Sequence, residues 1–298
     1  MGVGKVRIIK KNHNTYGDFV TLGVVGTSIG LVDYQREKVF LHRQPDAFDV
    51  LNPLENNQIT GTWTPGLDRR QFILNVSESQ GSPNTAVLAY KDVLKPFFQS
   101  FVFGTDVATN VSGPKIQLTD ETFSEADSPV MALNASTNIA IVAATLQGHA
   151  PELALVDLTA ATVSKFAGVG AGPVNGIAVD SVDNIAVTST ADDKIEFYNL
   201  ETETGTQQTL RGADSDLQAG TDVQFDPIND LFLILQPDCS EGTDSCIEVY
   251  DTRGNWVKAV AGLAIAEGLV TNQHIAFNPN TRTGFIQSSA STLESFAY

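Results

Sequence analysis

Positive charge is scarce in this chain: 18 lysines and arginines stand against 35 aspartates and glutamates, a net charge of −17 over 298 residues. Such a surface repels nucleic acid and anionic lipid, so neither is expected as a partner. No apolar run approaches the roughly 18 residues that a membrane helix requires, and no membrane insertion is expected. Only two tryptophans are present, Trp63 and Trp256, too few for a lectin that stacks one aromatic in each repeat. A glycine-rich phosphate loop, a Gly-x-Ser-x-Gly elbow, a His-Glu-x-x-His pair and a four-cysteine set are all missing. Each of those absences removes a class of chemistry.

Helix-forming runs of Lys, Glu and Met are rare, while Val, Ile, Thr, Phe and Tyr recur in short clusters, which favours strands. The clusters repeat. Ile177-Ala178-Val179 leads into the polar turn Asp180 to Asn184 and then Ile185-Ala186-Val187. Aspartate and asparagine bend such turns through bonds from the side chain to the backbone. Related units centre on Asp33, Asn75, Asn134, Asp226 and Asn278, giving successive spacings of 42, 59, 46, 46 and 52 residues. Each unit continues into a third alternating strand, such as Lys194 to Tyr198 or Ile247 to Asp251. A weaker fourth follows, such as Trp256 to Val260. Six copies of four short strands at this period predict an all-β fold, a six-bladed β-propeller with four-stranded antiparallel blades, in one domain spanning residues 1–298. A β-sandwich would not repeat at a fixed period. Only 20 residues follow Asn278, enough for two strands, and 32 precede Asp33. The N-terminal strand, including Phe19 to Leu22, is therefore expected to complete the last blade and close the ring.

Cys239 and Cys246 lie seven apart in a polar stretch. They read as a local disulfide or as two thiols. A disulfide implies secretion or another oxidising compartment. Three Asn-x-Ser sequons at Asn75, Asn110 and Asn134 agree with that destination. Met1 to Val6 hold no secretory hydrophobic core, so secretion would imply a leader that this sequence does not include.

In a propeller the innermost strands line a channel, and ligands meet the face where those strands begin. Asp127, Asn175, Asp222 and His274 are placed just before four successive first strands. A ring of carboxylate and amide oxygens from Asp127, Asn175 and Asp222 suits Ca²⁺ or another divalent cation. The same groups also suit capping of strands and holding of channel waters. Histidine ordinarily titrates near neutrality, so His274 is a candidate base. His149 and Arg70 lie on loops of the same face, with His274, as ligand-binding candidates; Arg70 can pair with a carboxylate.

The segment Ile247 to Val257 resembles NHL repeats, Pro173 to Asp180 resembles both NHL repeats and the SMP-30/gluconolactonase superfamily, and the general pattern resembles YVTN repeats. The lactonase branch implies an Asn metal ligand, which Asn175 matches apart from the inserted Val174. It also implies an Asp on the next blade, close to Asp222. Its first-blade Glu is replaced here by Ser28, and its Asp-Gly by Asp222-Val223. Two functions follow as expectations. The first is a non-enzymatic binding or scaffold propeller that takes a small molecule or a protein at the channel mouth, as a monomer. The second is a metal-dependent lactonase or esterase-like hydrolase, with cation-activated water and Asp222 or His274 as base.

Overall fold

The computed structural model describes the backbone of eleven strands between residues 4 and 117. It also describes backbone and most side chains within 130–144, 152–165, 174–210, 222–236, 245–263, 275–289 and 292–298, except 135, 191 and 193. Among these residues every regular element is a strand. β1 (Gly4–Ile9) pairs with β2 (Tyr16–Leu22). β3 (Gly30–Asp33), β4 (Lys38–Arg43), β5 (Ala47–Asn52) and β6 (Gln58–Trp63) form a four-stranded antiparallel sheet in chain order. β7 (Gln71–Glu78), β8 (Thr85–Asp92) and β9 (Lys95–Val102) follow, with the short β10 (Asn110–Val111) and β11 (Ile116–Gln117) both on β9. Three more four-stranded sheets come next. They are β12 (Val130–Asn134) to β15 (Thr162–Lys165) through β13 (Ile139–Ala144) and β14 (Glu152–Asp157); β16 (Val174–Asp180) to β19 (Thr204–Thr209) through β17 (Ile185–Thr190) and β18 (Lys194–Asn199); and β20 (Asp222–Asp226) to β23 (Trp256–Leu263) through β21 (Leu231–Gln236) and β22 (Ser245–Asp251). The last sheet has three strands, β24 (Ala276–Asn278), β25 (Thr283–Ser289) and β26 (Thr292–Ala297). The backbone groups into two compact units, one of residues 1–129, 138–140 and 156–163, the other of 130–137, 141–155 and 164–298.

Asp33, Asn134, Asp180, Asp226 and Asn278 each end the first strand of a sheet, as the repeat predicts. Asn75 does not. β7 continues to Glu78, and its ladder with β8 shifts register between Ile73 and Asn75, the mark of a bulge. The turn-forming residues Gly81, Ser82, Pro83 and Asn84 come only later in the sequence. Phe19 to Leu22 lie in β2, whose ladder partner is β1; one edge of β2 is thereby used.

The turns explain why the repeat centres on Asp or Asn. Asp180 Oδ1 accepts from the N–H of Val182 at 2.9 Å and of Asp183 at 3.2 Å. Asp226 Oδ1 does the same for Ile228 and Asn229, and Asn134 Oδ1 for Ser136. A short polar side chain thus replaces the ladder where the chain reverses. Four residues after each of these positions, at Asn138, Asn184, Asp230 and Arg282, φ lies between 50° and 56°. That left-handed residue turns the chain into the next strand. The device recurs between third and fourth strands: Asp157 and Asn199 accept the same two N–H groups, with Ala161 and Glu203 left-handed at 57°.

Within the second unit, sheets stack face to face. Phe232 and Ile234 of β21 join Val187, Ile195, Phe197 and Tyr250 in one core. Leu233 and Leu235, on the other face of the same strand, join Ile247, Val249, Ile286 and Tyr298 in the next. Both faces of β21 are buried, so Leu231 to Leu235 is continuously apolar rather than alternating. Phe197 meets Phe232 edge to face, with centroids 6.1 Å apart. Buried acids in the third strands are paired: Tyr198 donates to Glu196 at 2.6 Å and Tyr250 to Glu248 at 2.6 Å. Glu196 also accepts from Gln207 Nε2 at 2.7 Å. Burial, then the Glu196 carboxylate, push the Tyr198 phenol well above its ordinary value.

Candidate functional site at the start of the first strands

Gly176 sets the spacing on this face. A Cβ there would sit 2.7 Å from the backbone nitrogen of Val223 and 2.9 Å from Asp222 Cα. Only glycine lets β16 lie this close to the start of β20. The Asn175-Gly176 pair therefore has a packing role in its second residue.

Asp222, at the start of β20, is buried. Its Oδ2 accepts from the backbone N–H of Ile275 at 2.7 Å, reaching to the threshold of β24. Gln224, two residues along and so on the same side of the strand, donates Nε2 to Oδ1 and Oδ2 at 3.2 Å each. Gly176, Asp222 and Ile275 thus link three consecutive first strands. The Gln224 amide faces both carboxylate oxygens, the place a bidentate cation would occupy. Asp222 is thus a strut between first strands, with an amide donor in front of its two oxygens. Among the described residues no three His, Cys, Asp or Glu side chains gather as a metal set.

Asn175 is half-buried beside this strut, and its amide meets no hydrogen-bond partner among the described residues. Asp127, His149, Arg70 and His274 lie outside the described residues, although Ile275, the chain neighbour of His274, is the group Asp222 holds. Of the predicted site residues, Asn175 and Asp222 are therefore brought to one face. Sequence reasoning passed over Gln224, whose signal was its position two residues beyond Asp222.

Two other predicted features fall among the described residues, Cys246 at the same strand ends as Asp222 and Asn134 at the opposite ones. Cys246 is buried and disulfide-bonded, and the chain's one other cysteine is Cys239. Its Sγ lies 3.9 Å from Gln236 Oε1, a packing contact because a bonded sulfur carries no proton. Asn134, in the third sequon, is 1% exposed and donates Nδ2 to Asn184 Oδ1 at 2.9 Å. A glycan at Asn134 would require that turn to open.

No known family model matches the chain, and no curated protein does. Among solved structures, Raptor of Chaetomium thermophilum is similar in fold, with a TM-score of 0.67 at 12% identity, over 92% of this chain and 24% of that one. This chain therefore spans about a quarter of that protein's length. In all, 1188 solved chains match; a fold shared so widely does not select a function.

Proposed function

We propose that the chain is a non-enzymatic binding or scaffold β-propeller of six blades that takes a small molecule or a protein at the face where its first strands begin. Among the described residues, six sheets of three to five strands at the period of the sequence repeat, besides the two-stranded hairpin, support the blade count. The bonded Cys246 supports an oxidising compartment.

The observation that carries the binding reading is the contrast between Asp222 and Asn175. The charged group is engaged internally by Ile275 and Gln224, while the neutral amide of Asn175 is half-buried and meets no partner among the described residues. An amide offers both a donor and an acceptor for recognition but no general acid or base near neutral pH. The test is a fragment library screened by melting of the full chain. Hits whose shift disappears in Asn175→Ala are expected. Turnover of simple esters or lactones that needs a divalent cation and is lost in Asp222→Asn would replace this reading with the hydrolase.

A further inference from the structure

At the opposite end of the strands, the turns of neighbouring sheets meet at equivalent positions. Where the turn after Asn134 meets the turn after Asp180, Asn134 Nδ2 donates to Asn184 Oδ1 at 2.9 Å. Where the turn after Asp226 meets the turn after Asn278, Arg282 Nε donates to Asn229 Oδ1 at 2.8 Å. Asn229 in turn donates Nδ2 to Asp226 Oδ2 at 2.7 Å. Both joints are complementary, one amide to amide and one built on a guanidinium. The joint between them differs. By the same alignment it brings together Asp180 and Asp230, with Asp183 in the same turn, so like charges stand where Arg282 stands in the next joint.

This joint also carries exposed apolar surface. Val182 is 85% exposed and Ile228 56%, two of three large exposed hydrophobics among the described residues. They occupy the same position, two residues after Asp180 and Asp226, in the two turns that meet. Asp183 and Asp230 flank them and are exposed. A second copy of this chain is a poor occupant, because a two-fold contact would set acid against acid.

We propose that the joint between turns 181–184 and 227–230 docks a segment of a partner protein in which an arginine is flanked by aliphatic residues. The guanidinium pairs with Asp183 and Asp230, as Arg282 meets Asn229, the counterpart of Asp183, in the next joint, and the aliphatic neighbours cover Val182 and Ile228. The site lies away from Asn175 and does not depend on what binds there.

The test is selection of a phage-displayed random dodecapeptide library on the immobilised full chain, followed by anisotropy titration of the enriched peptides. Enriched sequences should place arginine between aliphatic residues. Their affinity should fall about tenfold or more in Val182→Ser with Ile228→Ser, and again in Asp230→Arg, which supplies an internal guanidinium. Val257→Ser, on the outer strand β23, should leave it unchanged. None of these exposed changes should lower the melting temperature. Failure to enrich any peptide, enrichment of sequences without a basic residue, or affinity indifferent to Asp230→Arg would overturn the proposal.

Discussion

The Tyr298 phenol donates to Asp226 Oδ2 across 2.7 Å, joining residues 72 apart in the chain. Asp226 is fully buried and also holds the N–H groups of Ile228 and Asn229 and the Asn229 amide. One carboxylate therefore shapes its own turn and anchors the strand end of the next sheet. Tyr298→Phe removes one bond but leaves Asp226 with its others. It should cost about 1 kcal/mol, or about 2 °C of melting temperature in a chain of this size. Burial, then Asp226, hold the Tyr298 phenol above its ordinary value. A raised group adds stability below its unfolded pKa and loses it as pH climbs through the folded one. Wild type should thus lose stability above about pH 10 more steeply than Tyr298→Phe, read as melting temperature against pH.

The middle joint gives a prediction at the acid end. Burial, followed by the charges of Asp183 and Asp230, holds the Asp180 carboxyl above its ordinary value, against the lowering bonds from Val182 and Asp183 N–H. This contribution is present below the ordinary carboxylate pKa and fades as pH rises through the folded one. Removing the Asp230 charge with Asp230→Asn should raise the melting temperature near neutral pH. The gap between variant and wild type should narrow on acidification towards about pH 4. Asp251 behaves oppositely: burial raises it, but bonds from Asn255 and Arg253 prevail and hold it low, so its contribution is lost as pH falls. A gap that is constant with pH would contradict the joint's geometry.

Gly176→Ala should be costly out of proportion to its size. The added methyl would sit within 3 Å of the Asp222 and Val223 backbone, and backbone cannot swing aside as a side chain can. A loss of about 1–3 kcal/mol is expected from chemical denaturation. Ala161→Gly should act in the other direction. At a φ of 57° the alanine Cβ crowds its following carbonyl, and relief should outweigh the added chain entropy by a few tenths to about 1 kcal/mol.

Much of this architecture was legible because local chemistry dictates it. Asp180 and its counterparts close their own turns through two backbone N–H groups, so the residue type and the strand end coincide wherever that bond forms. Asn75 misled because an asparagine inside a bulged strand looks the same in sequence as one that opens a turn. The Asp222 strut was not legible. Its partner Ile275 is 53 residues away, and nothing in the sequence near Asp222 announces a backbone donor from another sheet. Asn175 and Asp222 were found as polar residues at strand starts. Whether such a residue holds the sheets together or faces a ligand depends on long-range packing that a repeat pattern does not encode.

The most direct measurement is the melting temperature of wild type, Asp222→Asn and Asp222→Ala with and without Ca²⁺. The strut predicts no shift with Ca²⁺ in wild type. It also predicts a loss in both variants of about 1–3 kcal/mol, larger for Asp222→Ala, which leaves the buried Ile275 N–H and the Gln224 amide without their acceptor. A cation in hundredfold excess over its dissociation constant would instead add about 2.7 kcal/mol to wild type. A Ca²⁺-dependent rise in wild type that disappears in Asp222→Ala would contradict the strut and make Asp222 a metal ligand.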